Sequence, residues 1–309
     1  MTSMHKQTSW KLHLVDRMVI GYSLLMVVII AILGRPLTHY ADEMAFYAAM
    51  ATLALLIVRY VDETSSRWHA FLRLLYPAMM ITFFYRATGG QIFLLFDHFF
   101  DYQVVAWEKS LLGMEPTLFV DKHLLNTWST EVLSFSYFCY YLMFPGFLIA
   151  LFLRREHRMI RDFLAAACLT FFVSYLLFWL YPVEGPRWHF AGQYLNEIEG
   201  PVFRPLVEFV INNAAVRGGA IPSSHTGVAL IVMLFCFRYF RRVGWLLLPI
   251  VIGLAAGTVW GRFHYLSDVI VGAAIGAMAV WLIWRYSPHK IGRIPVVDPH
   301  KMLKTQDVS

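Results

Sequence analysis

The sequence predicts an all-α integral membrane protein with about eight transmembrane helices. Of its 309 residues, 59% are hydrophobic and only 15% are charged, whereas about a quarter of the residues of a soluble domain are charged. Apolar runs of roughly the 20 residues that cross a bilayer as a helix recur along the chain. The basic residues lie between these runs and are not clustered on one element. The net charge of +6 therefore does not indicate a nucleic-acid-binding protein.

The apolar runs define the predicted spans. These are residues 18–34, 44–60, 70–87, 131–152, 163–181, 223–240, 243–260 and 268–285. The apolar stretch "QIFLLFDHFFDY" in the loop 88–129 is too short to cross a bilayer, so we expect it to be interfacial or re-entrant. His98, with Asp97 and Asp101, would lie at a substrate mouth or in a solvated loop. The three cysteines all lie in apolar runs, and their spacing matches neither a disulfide framework nor a metal site, so we interpret them as packing residues. No cleavable signal peptide is expected.

The distribution of Lys and Arg predicts the topology. With the N-terminus inside, most of the 26 basic residues fall on the inner side, as cytoplasmic loops require. This predicts a cytoplasmic N-terminus at residues 1–17, a membrane domain at 18–285 and a cytoplasmic tail at 286–309. The segments 182–222 and 261–267 then share the outer face, which is periplasmic or lumenal. A bacterial inner membrane is the expected location.

Three segments on that outer face, "YPVEGPRW", "GGAIPSSHTGVAL" and "TVWGRFHYLSDVIVG", concentrate the polar chemistry. In the second, Ser223 or Ser224 is a plausible N-cap of the sixth span, and N-capping alone would explain both serines. A helix N-terminus also binds anions through its free N–H groups and its dipole. His225, in the first turn, would face such an anion.

The third segment places His264 and Asp268 four residues apart, on one face of a helix that begins near His264. A carboxylate there can accept the imidazole Nδ1–H, which leaves Nε2 free to attack. An interfacial histidine beside a solvated aspartate is the simpler interpretation of this pair alone. Two histidines together with Arg187 and Arg262 on one face favour phosphoryl transfer. A His/His/Asp zinc site is the competing chemistry, and the arginines would repel the cation. We therefore expect neither a metal nor another cofactor.

At these residues the sequence resembles the type 2 phosphatidic acid phosphatase superfamily. The Arg-Pro, Ser-Gly-His and Ser-Arg…His-x-x-x-Asp elements of that family correspond to "GPRW", "PSSHTG" and "TVWGRFHYLSDV", in the same order, and the resemblance covers residues 160–285. It implies a six-helix phosphatase-type core within the eight spans, with the catalytic motifs at 181–268. Three positions depart from the family pattern: Leu180 replaces a lysine, Ser224 a glycine and Thr258 an arginine.

The resemblance implies roles for the residues already singled out. His264 would be the nucleophile that forms a phosphohistidine, Asp268 would orient it, and His225 would be the general acid for the leaving group. The phosphate-binding residues implied are Arg187, Arg262, Ser223 and Ser224, with Arg262 standing in for the family's arginine at a different offset.

The function implied is that of a metal-independent lipid phosphatase that cleaves a phosphate ester or anhydride. The proline before the serines and the "GPR" triplet are similar to the branch that contains inositol phosphorylceramide synthase. A phosphotransferase that moves a phospho-headgroup to a lipid alcohol is therefore an alternative, and a lipid transporter is a second one. The expected partners are a lipid phosphate substrate and the bilayer, with no nucleic acid. The small residues "GAAIGA" in the last span allow close packing within the chain or in a homodimer.

Overall fold

The computed structural model describes residues 11–35 and 37–287, and over these residues the regular elements are helices, with one isolated β-bridge between Val183 and Gly219. The helices are α1 Leu14–Leu33, α2 Tyr40–Tyr60, α3 Arg67–Thr88, α4 Asp101–Leu112, α5 Pro116–His123, α6 Thr127–Leu153, α7 His157–Leu180, α8 Pro186–His189, α9 Phe203–Ala214, α10 Ser224–Tyr239, α11 Arg241–Trp260 and α12 Leu266–Tyr286. Residues 1–10 of the predicted N-terminal segment and residues 288–309 of the predicted tail lie outside the described part.

Every predicted span coincides with a helix, so the all-α prediction is confirmed. Six of these helices (α1, α2, α6, α7, α11 and α12) are long and apolar enough to cross a membrane, which makes the chain a multi-pass membrane protein. The helices α3 and α10 do not meet these requirements. Arg73 and Arg86 lower the hydropathy of α3, and α10 has only 16 residues. The count of eight spans therefore stays a prediction.

Helix α7 runs from one end of the bundle to the other and is the most buried candidate span, with 72% of its most apolar stretch inside the protein. At its start, Arg161 pairs with Glu63, just beyond the end of α2. At the same end, Arg73 at the start of α3 pairs with Asp16 at the start of α1, with Nη1 2.7 Å from Oδ1. The other end of α7 leads into "YPVEGPRW". The segment "YPVEGPRW" and these ion pairs thus lie at opposite ends of α7.

Helices α10 and α12 are in backbone contact through glycines. A Cβ on Gly227 would lie 2.7 Å from the carbonyl oxygen of Gly272, and a Cβ on Gly276 would overlap the carbonyl oxygen of Gly227. The small residues of α12 therefore pack within the chain, against the helix that begins with Ser224. This contact holds the starts of the two helices side by side. A homodimer stays a prediction.

We predict that Gly276→Leu destabilises the fold, because the new side chain must separate α10 from α12. Overpacking of this kind costs about 1–3 kcal/mol. The matched control is Gly146→Leu in α6, where a Cβ meets no atom within 4 Å. Thermal unfolding in detergent measures the difference, and equal unfolding midpoints for the two variants would contradict the predicted contact.

Candidate active site

The buried carboxylate of Asp101, the first residue of α4, joins two of the polar segments. Its Oδ2 accepts the backbone N–H of Glu184 at 2.9 Å, and its Oδ1 accepts the N–H of Gly185 and the hydroxyl of Tyr265, each at 2.9 Å. Burial, and then the Asp101 charge, raise the pKa of Tyr265, so its phenol stays protonated and donates. Asp101 therefore holds the segment before Arg187 against the segment that contains His264.

Glycine is required at 185 because the two segments touch there. Gly185 has a φ of 94°, and a Cβ on it would lie 3.1 Å from the Phe263 carbonyl oxygen and 3.2 Å from the Ala220 Cβ. A residue with a side chain would be strained at this φ and would also crowd both neighbours. The "GPR" triplet thus begins with the one residue that lets Arg187 approach the histidine segment.

His264 lies two residues before α12, and a turn, not a helical face, brings it to Asp268. Its Nδ1 is 3.5 Å from Asp268 Oδ2, its side chain is 8% exposed and the aspartate is fully buried. The same Oδ2 accepts the backbone N–H of Tyr265 at 2.8 Å, which anchors the carboxylate. With Nδ1 towards the carboxylate, Nε2 is the nitrogen of His264 that can react.

A cavity of about 280 Å³ brings the expected catalytic residues together. Arg187, Ser224, His225 and His264 all line it, and the ring centroids of the two histidines lie 6.2 Å apart. Arg187 Nη1 and His225 Nδ1 are buried and have no hydrogen-bond partner among the described residues, whereas His264 Nδ1 faces Asp268. Buried polar atoms are normally satisfied, so the two unpartnered atoms indicate a site for a polar ligand.

Arg187 is the arginine that the structure brings to this cavity. Its Nη2 donates to Glu208 Oε2 at 2.8 Å and to Asn212 Oδ1 at 3.1 Å, both on α9. These bonds fix the guanidinium and leave Nη1 without a partner. A fixed guanidinium with a spare donor is suited to an anionic oxygen.

Arg262 lies elsewhere. It does not line the cavity: its Nη2 donates at 2.6 Å to both Asp121 Oδ1 and the carbonyl oxygen of Asn196, and its guanidinium lies 3.7 Å from the ring centroid of Tyr194. Burial lowers the pKa of Arg262, and the Asp121 charge opposes that effect. The backbone φ of Arg262 is 64°, uncommon for a residue other than glycine. Its position does not favour the expected phosphate-binding role, which stays a prediction.

The two serines are in different positions. Ser223 is the N-cap of α10, as expected, and its Oγ lies 3.1 Å from Thr226 Oγ1. It is fully buried and does not line the cavity, whereas Ser224 does. The N-terminus of α10 therefore reaches the cavity through Ser224 and His225. A phosphate-binding role for either serine stays a prediction.

Two other histidines, His98 and His189, lie outside the cavity wall. His98 is half exposed, with its Nδ1 2.9 Å from the fully exposed Asp97. His189 offers a ligand atom within 4.8 Å of oxygens of Asp101 and Glu184, a grouping with the donors for a metal ion. However, both Asp101 oxygens already accept hydrogen bonds, and Glu184 pairs with Arg217 at 2.6 Å. A cation there would compete with these bonds and with the Arg217 charge.

Sequence analysis missed the tyrosines around His225. Tyr137, Tyr140 and Tyr141 project from one face of α6, with ring centroids 5.6, 4.6 and 6.3 Å from that of His225. Their i, i+3, i+4 spacing inside an apolar span is a signal that could have identified them. Asp101 was expected, with Asp97 and His98, at a substrate mouth or in a solvated loop, and its role as the acceptor that joins two polar segments was not predicted.

A family model described as the PAP2 superfamily matches residues 102–282, more than half of the chain. The PA-phosphatase related-family protein of Dictyostelium discoideum is 23% identical over 206 residues, which are 59% of this chain and 37% of that protein. The bacitracin transport permease protein BcrC of Bacillus licheniformis is 28% identical over 85 residues, 27% of this chain and 39% of that protein. The chain thus spans less than two fifths of the length of either relative. No solved structure matches it.

We predict that Asp101→Asn loosens the segment around Glu184 and Gly185, because an amide oxygen replaces a carboxylate that accepts three hydrogen bonds. Hydrogen–deuterium exchange in detergent should show faster exchange of these two amides. The control is Asp97→Asn, which removes a fully exposed carboxylate four residues earlier and should leave the exchange unchanged. Unchanged exchange in Asp101→Asn would show that the carboxylate is not the anchor.

Proposed function

The chain belongs to the PAP2 superfamily, and from that premise we propose that it is an integral-membrane lipid phosphatase. It cleaves a phosphate ester or anhydride of a lipid through a phosphohistidine, without a metal ion. One observation carries the proposal: two histidine rings 6.2 Å apart line a cavity whose wall also contains the unpartnered Nη1 of Arg187. The cavity thus combines a nucleophile, a proton donor and a cation.

The first step transfers the phosphoryl group to the enzyme. Nε2 of His264 attacks phosphorus, a P–N bond forms and the P–O bond to the lipid breaks, while His225 gives its proton to the leaving oxygen. A phosphate between the rings favours the protonated form of His225, since an opposite charge within about 4–6 Å stabilises a cation. The lipid alcohol then leaves.

Water completes the reaction. It attacks phosphorus, gives one proton to the now neutral His225, and the P–N bond breaks to release phosphate and restore His264. Asp268, next to Nδ1, keeps Nε2 as the attacking nitrogen and stabilises the positive charge that the ring acquires. Arg187 and the start of α10 at Ser224 hold the non-bridging oxygens as their charge increases.

A phosphotransferase is the second candidate. Here a lipid alcohol replaces water, and the enzyme must hold that acceptor and exclude water. Leu180, where the family has a lysine, is consistent with this alternative because the site lacks that cation. The similarity to the inositol phosphorylceramide synthase branch points the same way. A transporter is less well supported, since the polar residues lie at helix ends and transporters bind substrate near the bilayer midplane.

We further propose that the site faces the periplasm or a lumen. The basic ends of the helices lie opposite the site along α7, and basic residues favour the cytoplasmic side. Lipid phosphates would reach the cavity from the outer leaflet. A bacterial inner membrane remains the proposed location, with both termini in the cytoplasm.

We predict that the chain purified in detergent releases phosphate from at least one lipid phosphate in the presence of a chelator. His264→Ala should abolish release because no phosphohistidine can form, and His225→Ala should lower it about 10²–10⁴-fold through loss of the acid. His98→Ala, a half-exposed histidine outside the cavity, is the control. Activity that survives His264→Ala would refute the nucleophile. Headgroup transfer to an added lipid alcohol without phosphate release would favour the phosphotransferase.

We also predict opposite effects for the two arginines. Arg187→Ala should lower the rate of phosphate release about 10²–10³-fold with little change in unfolding temperature, because it removes a charge that stabilises the transition state. Arg262→Ala should instead lower the free energy of unfolding by about 1–3 kcal/mol, since it leaves the buried Asp121 carboxylate without its cation. Rate assays and thermal unfolding of both variants distinguish these effects. The reverse pattern would place the phosphate at Arg262.

A further inference from the structure

The cavity extends beyond the two histidines into the membrane domain. Its deeper walls come from α3, α6, α7 and α9 and include apolar side chains such as Ile81, Phe171 and Val210. Five tyrosines share these walls: Tyr85, Tyr137, Tyr140, Tyr141 and Tyr175. We call this inner part the tyrosine chamber. The cavity wall contains two charged side chains, Glu184 and Arg187, and both lie near the histidines and not among the tyrosines.

The hydroxyl of Tyr137 is available to a ligand. Tyr137 is 1% exposed, and its hydroxyl oxygen is buried with no hydrogen-bond partner among the described residues. The ring of Tyr141 lies 6.0 Å away, centroid to centroid. Where those two phenols meet, Tyr141 can donate to the Tyr137 oxygen, and the O–H of Tyr137 then remains for a ligand. An unsatisfied buried donor is costly, so a ligand that accepts from it is favoured.

A second phenol, that of Tyr85 on α3, also has an O–H that is free to donate to a ligand. The Tyr85 hydroxyl accepts the backbone N–H of Val216 at 3.1 Å, which uses an acceptor position and leaves its own O–H to donate. Tyr175 differs, because its hydroxyl donates to the carbonyl oxygen of Ile81 at 3.0 Å. The chamber therefore combines apolar walls with uncharged O–H donors. Such walls suit a mostly apolar molecule that contains oxygen atoms.

The tyrosine chamber lies next to His225, and this position indicates that the leaving lipid, not the phosphate, enters it. His225, the proposed acid for the leaving oxygen, is the histidine in contact with the α6 tyrosines, with Tyr140 at 4.6 Å. The leaving lipid must therefore lie on the tyrosine side. At about 280 Å³ the cavity is slightly smaller than the usual ligand pocket of about 300–1,000 Å³. Only the part of the lipid next to the phosphate fits, and its chains leave near the exposed Thr82 and Ala215.

We propose that Tyr137 is a specificity-determining residue that donates a hydrogen bond to an oxygen atom of the lipid next to the phosphoester. The preferred substrates are then lipid phosphates with an ester carbonyl or hydroxyl oxygen a few bonds from phosphorus, as in a glycerolipid or a sphingoid lipid. Isoprenyl phosphates have no such oxygen in the chain and would leave the phenol unsatisfied. This inference rests on the proposed function and extends it to substrate choice.

The test compares two substrates with the full-length chain in detergent. Tyr137→Phe should lower kcat/KM about tenfold for phosphatidic acid and leave that for farnesyl phosphate unchanged, as expected for the loss of one hydrogen bond. Tyr22→Phe is the matched control, because Tyr22 is also buried with an unpartnered hydroxyl but lies outside the cavity. An equal loss for both substrates, no loss, or higher wild-type activity with farnesyl phosphate would overturn the inference.

A binding measurement separates this inference from the proposed function. Thermal stabilisation of His264→Ala by phosphatidic acid should fall when Tyr137→Phe is added and should persist when Tyr22→Phe is added. If no phosphate is released from either lipid but this binding difference appears, the proposed function fails and the role of Tyr137 stands. If release occurs but the binding difference is absent, the role of Tyr137 fails alone.

Discussion

The buried carboxylate of Asp101 is the constraint on which the geometry of the site depends. It accepts hydrogen bonds from the Glu184 and Gly185 amides and from the Tyr265 hydroxyl, and these residues lie next to Arg187 and His264. Without that acceptor, the Gly185 amide and the Tyr265 phenol would be buried without their partner, at a cost of about 1–3 kcal/mol each. The segment that contains Arg187 and the segment that contains His264 would then lose the hydrogen bonds that hold them together through Asp101.

Other acids between the end of α3 and the first turns of α6 also accept backbone N–H groups of distant segments. Glu108 accepts both the N–H and the hydroxyl of Ser267 in the first turn of α12, at 2.6 and 2.8 Å, and burial raises the pKa of Glu108. Asp121 accepts the Leu195 N–H at 2.8 Å, and Glu131 accepts the Phe203 N–H at 2.9 Å at the start of α9. In a chain that is only 15% charged, these acids stabilise the connections that carry the site.

The cavity wall combines satisfied and unsatisfied polar groups, although buried atoms without a partner, such as the Tyr22 hydroxyl, also occur elsewhere among the described residues. Around the cavity, carboxylates fix the backbone and the Nη2 of Arg187, while Nη1 of that arginine and the phenol of Tyr137 stay without partners. A rigid frame with unpaired donors is preorganised for an anionic, oxygen-bearing ligand. At the opposite end, Asp16 and Arg73 are buried and pair with each other, which is typical of a structural role. The residues proposed to react thus lie at the end of the bundle opposite to this ion pair.

The sequence by itself determined the features that depend on local pattern. The length of the apolar runs located every predicted helix, and Ser223 followed from N-cap preference. The spacing of His264 and Asp268 indicated their pairing, although a turn and not a helical face produces it. Only the tertiary structure decided which side chains line the cavity: it includes Arg187 and Tyr137 and directs Arg262 towards Asp121. Asp101 reaches its partners across 83 to 164 positions of the chain. The direction of a side chain at a helix end depends on elements that are distant in sequence and adjacent only after packing, so no local pattern encodes it.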